Sequence, residues 1–194
     1  LVVEGAETNS VSRLNSLFDE LVALGAKRSL PPVSAWHPAH TGSIDIRIAA
    51  DGTWFHEGGP IRREGLVRLF ASILRRDPEG YCLVTPAERL FIVVDDAPFI
   101  ATTIEVKGEG VSQDVLFVTN VGDVVVLSPE HPLRIGGTPS SPKPYVEVRS
   151  GLEALLSRPV FYRLVDLGQV DEESEGSDVL RVWSAGKRFT LGNV

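Results

Sequence analysis

Four histidines and two adjacent aspartates are the side chains of this 194-residue chain best suited to acid–base or metal chemistry. Imidazole is the usual metal ligand and the side chain that titrates near neutral pH. His37 and His40 stand three apart in a Pro-containing loop, His56 follows an aromatic run, and His131 occupies a matching loop in the second half. If the halves pack face to face, His56 and His131 meet across a seam with Asp45, Arg47 and Arg134 nearby. That would be a polar cluster in a cleft, the usual form of a ligand site. The plainer alternative is that each histidine bonds a loop carbonyl.

Asp95-Asp96 follow the apolar run Phe91-Ile92-Val93-Val94, so the pair ends a strand, where a hard cation or a substrate amine could be held. A solvated turn before Pro98 accounts for them equally well. Adjacent strand residues point to opposite faces, and a catalytic carboxylate pair must converge, so no catalytic residue is assigned. The candidate ligand-binding set is His37, Asp45, Arg47, Trp54, His56, Asp96, His131 and Arg134. Trp54 enters it as part of an aromatic group, with Trp36, Tyr81, Tyr145 and Tyr162, that would either present a surface to a planar ligand or pack in the core.

Stronger signatures are absent. The sequence has no phosphate loop ending in Gly-Lys-Ser/Thr, no Gly-x-Gly-x-x-Gly after a strand, no serine elbow and no His-Glu-x-x-His. No cofactor and no metal ligand set is assigned on this basis. The single Cys82 lies in the apolar run Tyr81-Cys82-Leu83-Val84 and reads as a small core residue. One cysteine excludes a disulfide scaffold.

Net charge is −7, with 26 acidic residues against 19 basic ones. Phosphate backbones are bound by accumulated Lys and Arg, so nucleic acid is not an expected partner. No apolar stretch approaches the ~20 residues of a membrane helix, which argues against a membrane and for a cytoplasmic location. The sequence holds no Met, so Leu1 is not expected to be the initiating residue. The acidic run Asp171-Glu172-Glu173-Ser174-Glu175 reads as a solvated loop.

Positioning these groups requires the following elements. Val11, Leu14, Phe18, Leu21 and Val22 recur at helical spacing and predict a first helix ending near Gly25. Ile44, Ile46 and Ile48 alternate with polar residues, Asp51-Gly52 signals a hairpin turn, and Thr53 to His56 return. Leu66 to Leu74 predict a second amphipathic helix stopping before Pro78. Strands are expected at 81–85, 89–94, 98–106 and 114–119. The connections among the first three are too short for crossover helices, so the sheets are mainly antiparallel.

The hairpin, Pro loop and helix of 44–66 compare with Val115–Thr119, Gly122-Asp123, Pro132-Leu133-Arg134 and Ser150-Gly151-Leu152-Glu153, a capping-box pattern that predicts another helix. A helical turn is expected from Pro159, and a hairpin from Val179 to Leu191 closes the chain. The repetition suggests duplicated halves. The expected fold class is therefore α+β, with an N-terminal helix over 1–28, a first lobe over 29–110 and a related second lobe over 111–194. One principal helix is expected in each.

Several blocks in order carry a family resemblance: Trp36-His37-Pro38, Asp51-Gly52-Thr53-Trp54-Phe55, Leu83-Val84-Thr85-Pro86, Val94-Asp95-Asp96-Ala97-Pro98-Phe99, His131-Pro132-Leu133-Arg134 and Arg158-Pro159-Val160-Phe161-Tyr162. Over about residues 31 to 166 the chain resembles a bacterial family of unknown function, numbered 1285 among such domains. That resemblance implies an uncommon α+β fold of repeated motifs and a part in bacterial signalling, and it brings no catalytic residue. The expected function is regulatory binding of a small molecule or a protein partner at the seam between lobes. The rival is a metal-assisted hydrolase using His37, His56, His131, Asp95 or Asp96. A scaffold acting through its surface, for instance as a homodimer, is a third reading.

Overall fold

A computed structural model describes residues 30–138, 140–172 and 178–193. The N-terminal helix expected over 1–28 lies outside them, as do residues 173–175 of the acidic run, whose first two residues end a strand (Gln169–Glu172) and are not in a loop. A short 3-10 turn (Val33–Ala35) leads into strand β1 (His40–Ile48). Ile46 and Ile48 are buried while Asp45 and Arg47, which alternate with them, are exposed, the period of two read from the sequence. Gly52, at φ +82°, turns the chain, and the Thr53 amide donates to Asp51 Oδ1 at 2.9 Å.

The first sheet continues with β2 (Trp54–His56) and β3 (Gly59–Pro60), helix α1 (Glu64–Ser72), then β4 (Leu74–Asp77), β5 (Gly80–Val84) and β6 (Glu88–Val94). Its strand order is β3-β2-β1-β6-β5-β4, and β1 pairs with β6 in parallel at the centre. Helix α1 buries Ala71 and stacks Phe70 on Trp54, ring centroids 6.3 Å apart.

The second sheet holds β7 (Phe99–Lys107), β8 (Asp114–Thr119), β9 (Val124–Val126), β10 (Leu133–Thr138), β11 (Ser141–Arg149) and β12 (Leu152–Leu156). It runs β9-β8-β7-β12-β11-β10, again with its first and last strands parallel in the middle. The two lobes thus share one strand order, and β7, within the span 29–110, is a central strand of the second sheet. Helix α2 (Arg158–Asp166) and a three-stranded sheet of β13 (Gln169–Glu172), β14 (Asp178–Ser184) and β15 (Lys187–Asn193) complete the described chain. Ser184 Oγ accepts the Val115 amide at 2.9 Å and Gln113 donates to the Trp183 carbonyl at 2.7 Å, which fixes β14 to the second lobe.

The α+β expectation is overturned. Among the described residues fifteen strands accompany two α-helices of nine residues each, so the protein is mostly β with two lobes. The misread segment is Ser150-Gly151-Leu152-Glu153. Ser150 and Gly151 both take positive φ, +47° and +75°, and form a hairpin turn instead of a helix cap. Leu152, Ala154 and Leu156 are then buried alternately, the signature of a strand. Tyr145–Val148, expected to lead into a helix, belong to β11. The position matching α1, between β9 and β10, is the short link 127–132 closed by a Ser128–His131 bridge, so the second lobe has no helix there.

One apolar core runs through both lobes, from Ile46, Ile48 and Trp54 to Phe99, Val148 and Leu152. Gly52 sits at their contact: a Cβ there would lie 2.7 Å from Ile100 Cγ1 and 2.8 Å from Asn120 Nδ2.

Candidate functional site

The seam between the lobes is organised by two arginines, one from each side. Arg75 on β4 grips Asp77 through Nε and Nη2 at 2.6 and 2.8 Å, and its Nη1 donates to the Val33 and Trp36 carbonyls at 2.9 and 2.8 Å. Arg89 adds a third contact to Asp77 at 2.9 Å. The Arg75 guanidinium outweighs the cost of burial, and with Arg89 it holds the Asp77 carboxyl down to about 2. Cys82 is buried beside this cluster, and burial pushes its thiol up to about 11, so the core reading of Cys82 stands.

Arg149, the last residue of β11, crosses from the second lobe. It ion-pairs with Asp123, donates through Nη2 to the Ala71 carbonyl of α1 at 2.8 Å, and lies over the Phe99 ring at 4.9 Å. Two cavities meet at this side chain. One, of about 140 Å³, is lined by Asp123, His131 and Val148 among others. The other, of about 210 Å³, lies between α1 and β4 on one side and the β11–β12 turn on the other. Arg149 and Leu30 border both.

A second polar cluster ties the lobes together nearer the surface. Asp96, in the link between the sheets, accepts from Lys143 Nζ at 2.6 Å and from the Tyr145 hydroxyl at 2.7 Å. Burial opposes ionisation of Asp96, but these two donors outweigh it and its pKa falls below the usual carboxylate range. Burial, then the bond to Asp96, pushes the Tyr145 phenol up to about 12. Arg134 stacks on the Tyr145 ring at 4.2 Å and grips Glu153 through Nε and Nη2 at 2.8 and 2.7 Å. Gly136 leaves the space for this stack, since a Cβ there would lie 2.9 Å from Arg134 Nη1.

The candidates read from the sequence fall in separate places. Asp96 and Arg134 join through Tyr145. His131 borders the smaller seam cavity, its Nδ1 donating to the Glu147 carbonyl at 3.1 Å, which leaves Nε2 for an incoming group. Trp54 is in the core, 1% exposed, and its indole Nε1 has no hydrogen-bond partner among the described residues. Arg47 pairs with Asp95 from the outer face of the first sheet, Nε to Oδ1 at 2.9 Å. His56 is exposed on β2, Asp45 is exposed on β1, and His37 is exposed before β1; none of them borders the seam cavities. Among the described residues no three His, Cys, Asp or Glu side chains group as a metal site.

Arg149 and Asp123 were missed because their pairing spans 26 residues, and Arg75 because it and Asp77, two residues apart on β4, lie where the sequence predicts the end of a helix and its stop before Pro78. The one available signal was an arginine closing the apolar alternation Val146, Val148 just before Ser150-Gly151.

Two adjoining family domains match the chain in sequence. The N-terminal domain of DUF1285, a domain of unknown function, matches residues 31–97, and its C-terminal domain matches residues 98–191. The chain belongs to the DUF1285 family. A DUF1285 family protein of known crystal structure from Silicibacter pomeroyi DSS-3 is 46% identical over 90% of this chain and 95% of that one, with a TM-score of 0.79. A DUF1285 family protein from Shewanella baltica OS155 is 27% identical over 62% of this chain and 90% of that one, with a TM-score of 0.50. No curated protein matches the chain. The division of DUF1285 at residues 97 and 98 falls in the link between the two six-stranded sheets, so each family domain begins with one repeat of the strand order.

Proposed function

We propose that this DUF1285 protein is a cytoplasmic regulatory binding protein that holds a small molecule non-covalently in the seam between its lobes. The observation that carries this is the cavity of about 210 Å³ whose wall is supplied by both lobes, with Arg75 from the first and Arg149 from the second. Each guanidinium is fixed by a carboxylate and by backbone carbonyls, so its remaining donors are held in place before a ligand arrives. An occupant touches α1, β4 and the β11–β12 turn together. Binding therefore couples to how firmly the lobes are held against each other, which gives a regulatory readout.

A thermal-shift screen of the full chain against metabolites, nucleotides and metals tests this. A ligand at ~100 times its dissociation constant adds ~2.7 kcal/mol, a rise in Tm of about 5 to 10 °C for a chain of this size. Ser72 borders the cavity at the end of α1, so Ser72→Phe is expected to fill it and abolish the rise. Shifts that persist undiminished in S72F, or a screen with no shift at all, would remove the seam site.

A further inference from the structure

Resting on that seam reading, we infer that the ligand is a small monocarboxylic acid with a short apolar body, its carboxylate bound by Arg149. A guanidinium carries five N–H donors. Arg149 uses one on Asp123 and one on the Ala71 carbonyl, leaving three, and it borders both seam cavities. A planar fork of such donors fits a carboxylate better than it fits a single carbonyl oxygen. The rest of the larger cavity supplies apolar surface from Pro31, Pro32, Leu74 and Leu152 and a hydroxyl from Ser150. No Asp or Glu is among its described lining residues, so an amine finds no counter-charge there.

Charge balance narrows the class further. Among the described residues Arg149 pairs with Asp123 while Arg75 and Arg89 share Asp77, so these five groups carry one surplus positive charge. One surplus positive charge matches one negative charge, whereas a phosphate dianion brings a second that these groups do not offset. The cavity volume limits the apolar part to a short chain or a single ring.

The test compares isosteres on the full chain by titration calorimetry. Hexanoate and benzoate are measured beside hexanamide, benzamide and hexylamine, with wild type and S72F. The acids are expected to bind at least ten-fold more tightly than their amides, the amine not to bind, and S72F to abolish acid binding. Arg149→Lys is expected to weaken the acids about ten-fold and to shrink the preference for acid over amide, while a circular-dichroism melt confirms that it folds. Equal affinity for acid and amide, both lost in S72F, would overturn the carboxylate assignment and leave the seam site standing. Acid binding that S72F does not touch would overturn both. If no acid binds, the carboxylate assignment falls, and the broader screen decides the seam on its own.

Discussion

At the scale of single residues, Asp77 is the group on which most depends. It takes donors from Arg75, Arg89 and Cys82, and Arg75 in turn ties down the loop from Val33 to Trp36. Removing one partner of a buried ion pair strands the others, at about 3 to 5 kcal/mol. Asp77→Asn is accordingly expected to lower the free energy of unfolding at pH 7 by that much, measured by equilibrium unfolding in urea. The sign with pH follows from a folded pKa of about 2 against an ordinary 3.8. The Asp77 contribution is complete above pH 4 and is lost as pH falls through about 2. In D77N that part of the acid sensitivity disappears. Of the eight candidate site residues, only those whose partners are also polar and close in the fold ended in clusters. Trp54 shows why: it entered the set as one of a group of aromatic rings that could either face a planar ligand or pack inside, and packing against Phe70 placed it in the core.

At the scale of elements, turns decided more than helix patterns did. The β1–β2 hairpin was legible because Asp51-Gly52 is a turn signal with few other uses. Ser150-Gly151 was not, because Ser followed by Glu three residues on also marks a helix start, and only the register of β11 against β12 chooses between them. Strands β4 and β10 escaped notice because arginines occupy them: Arg75 and Arg76 in one, Arg134 in the other. The β14–β15 turn offers a direct check of this turn chemistry. Ala185 and Gly186 join Ser184 to its partner Lys187, and Ala185 is forced to φ +49°. Asn accepts that conformation far better than Ala. Ala185→Asn is expected to stabilise the protein by about 1 kcal/mol and raise Tm by about 2 to 4 °C in a thermal melt.

At the scale of the whole molecule, the lobes share one core and three kinds of tie: apolar packing, the Arg149 crossing to α1, and the Asp96 contacts with β11. Neither lobe can open without exposing the other. The expected result in calorimetry is one transition whose calorimetric and van't Hoff enthalpies agree. Gly52→Ala, which drives a methyl against Ile100 and Asn120 at positive φ, is expected to cost about 1 to 3 kcal/mol and to lower that single transition without splitting it. Two resolved transitions would show that the lobes are independent.

The parallel pairing of first and last strands also bears on how such a protein is assembled. Because those two strands run the same way, each sheet has its inlet at one end and its outlet at the other. The outlet of the first delivers the chain directly to the inlet of the second, and residues 95–98 suffice to join them. A unit of this kind can be strung head to tail like a link in a chain, without a long return segment. Duplicating it in tandem disturbs neither copy, whereas a unit with both ends on one side would need a connector running back along the sheet.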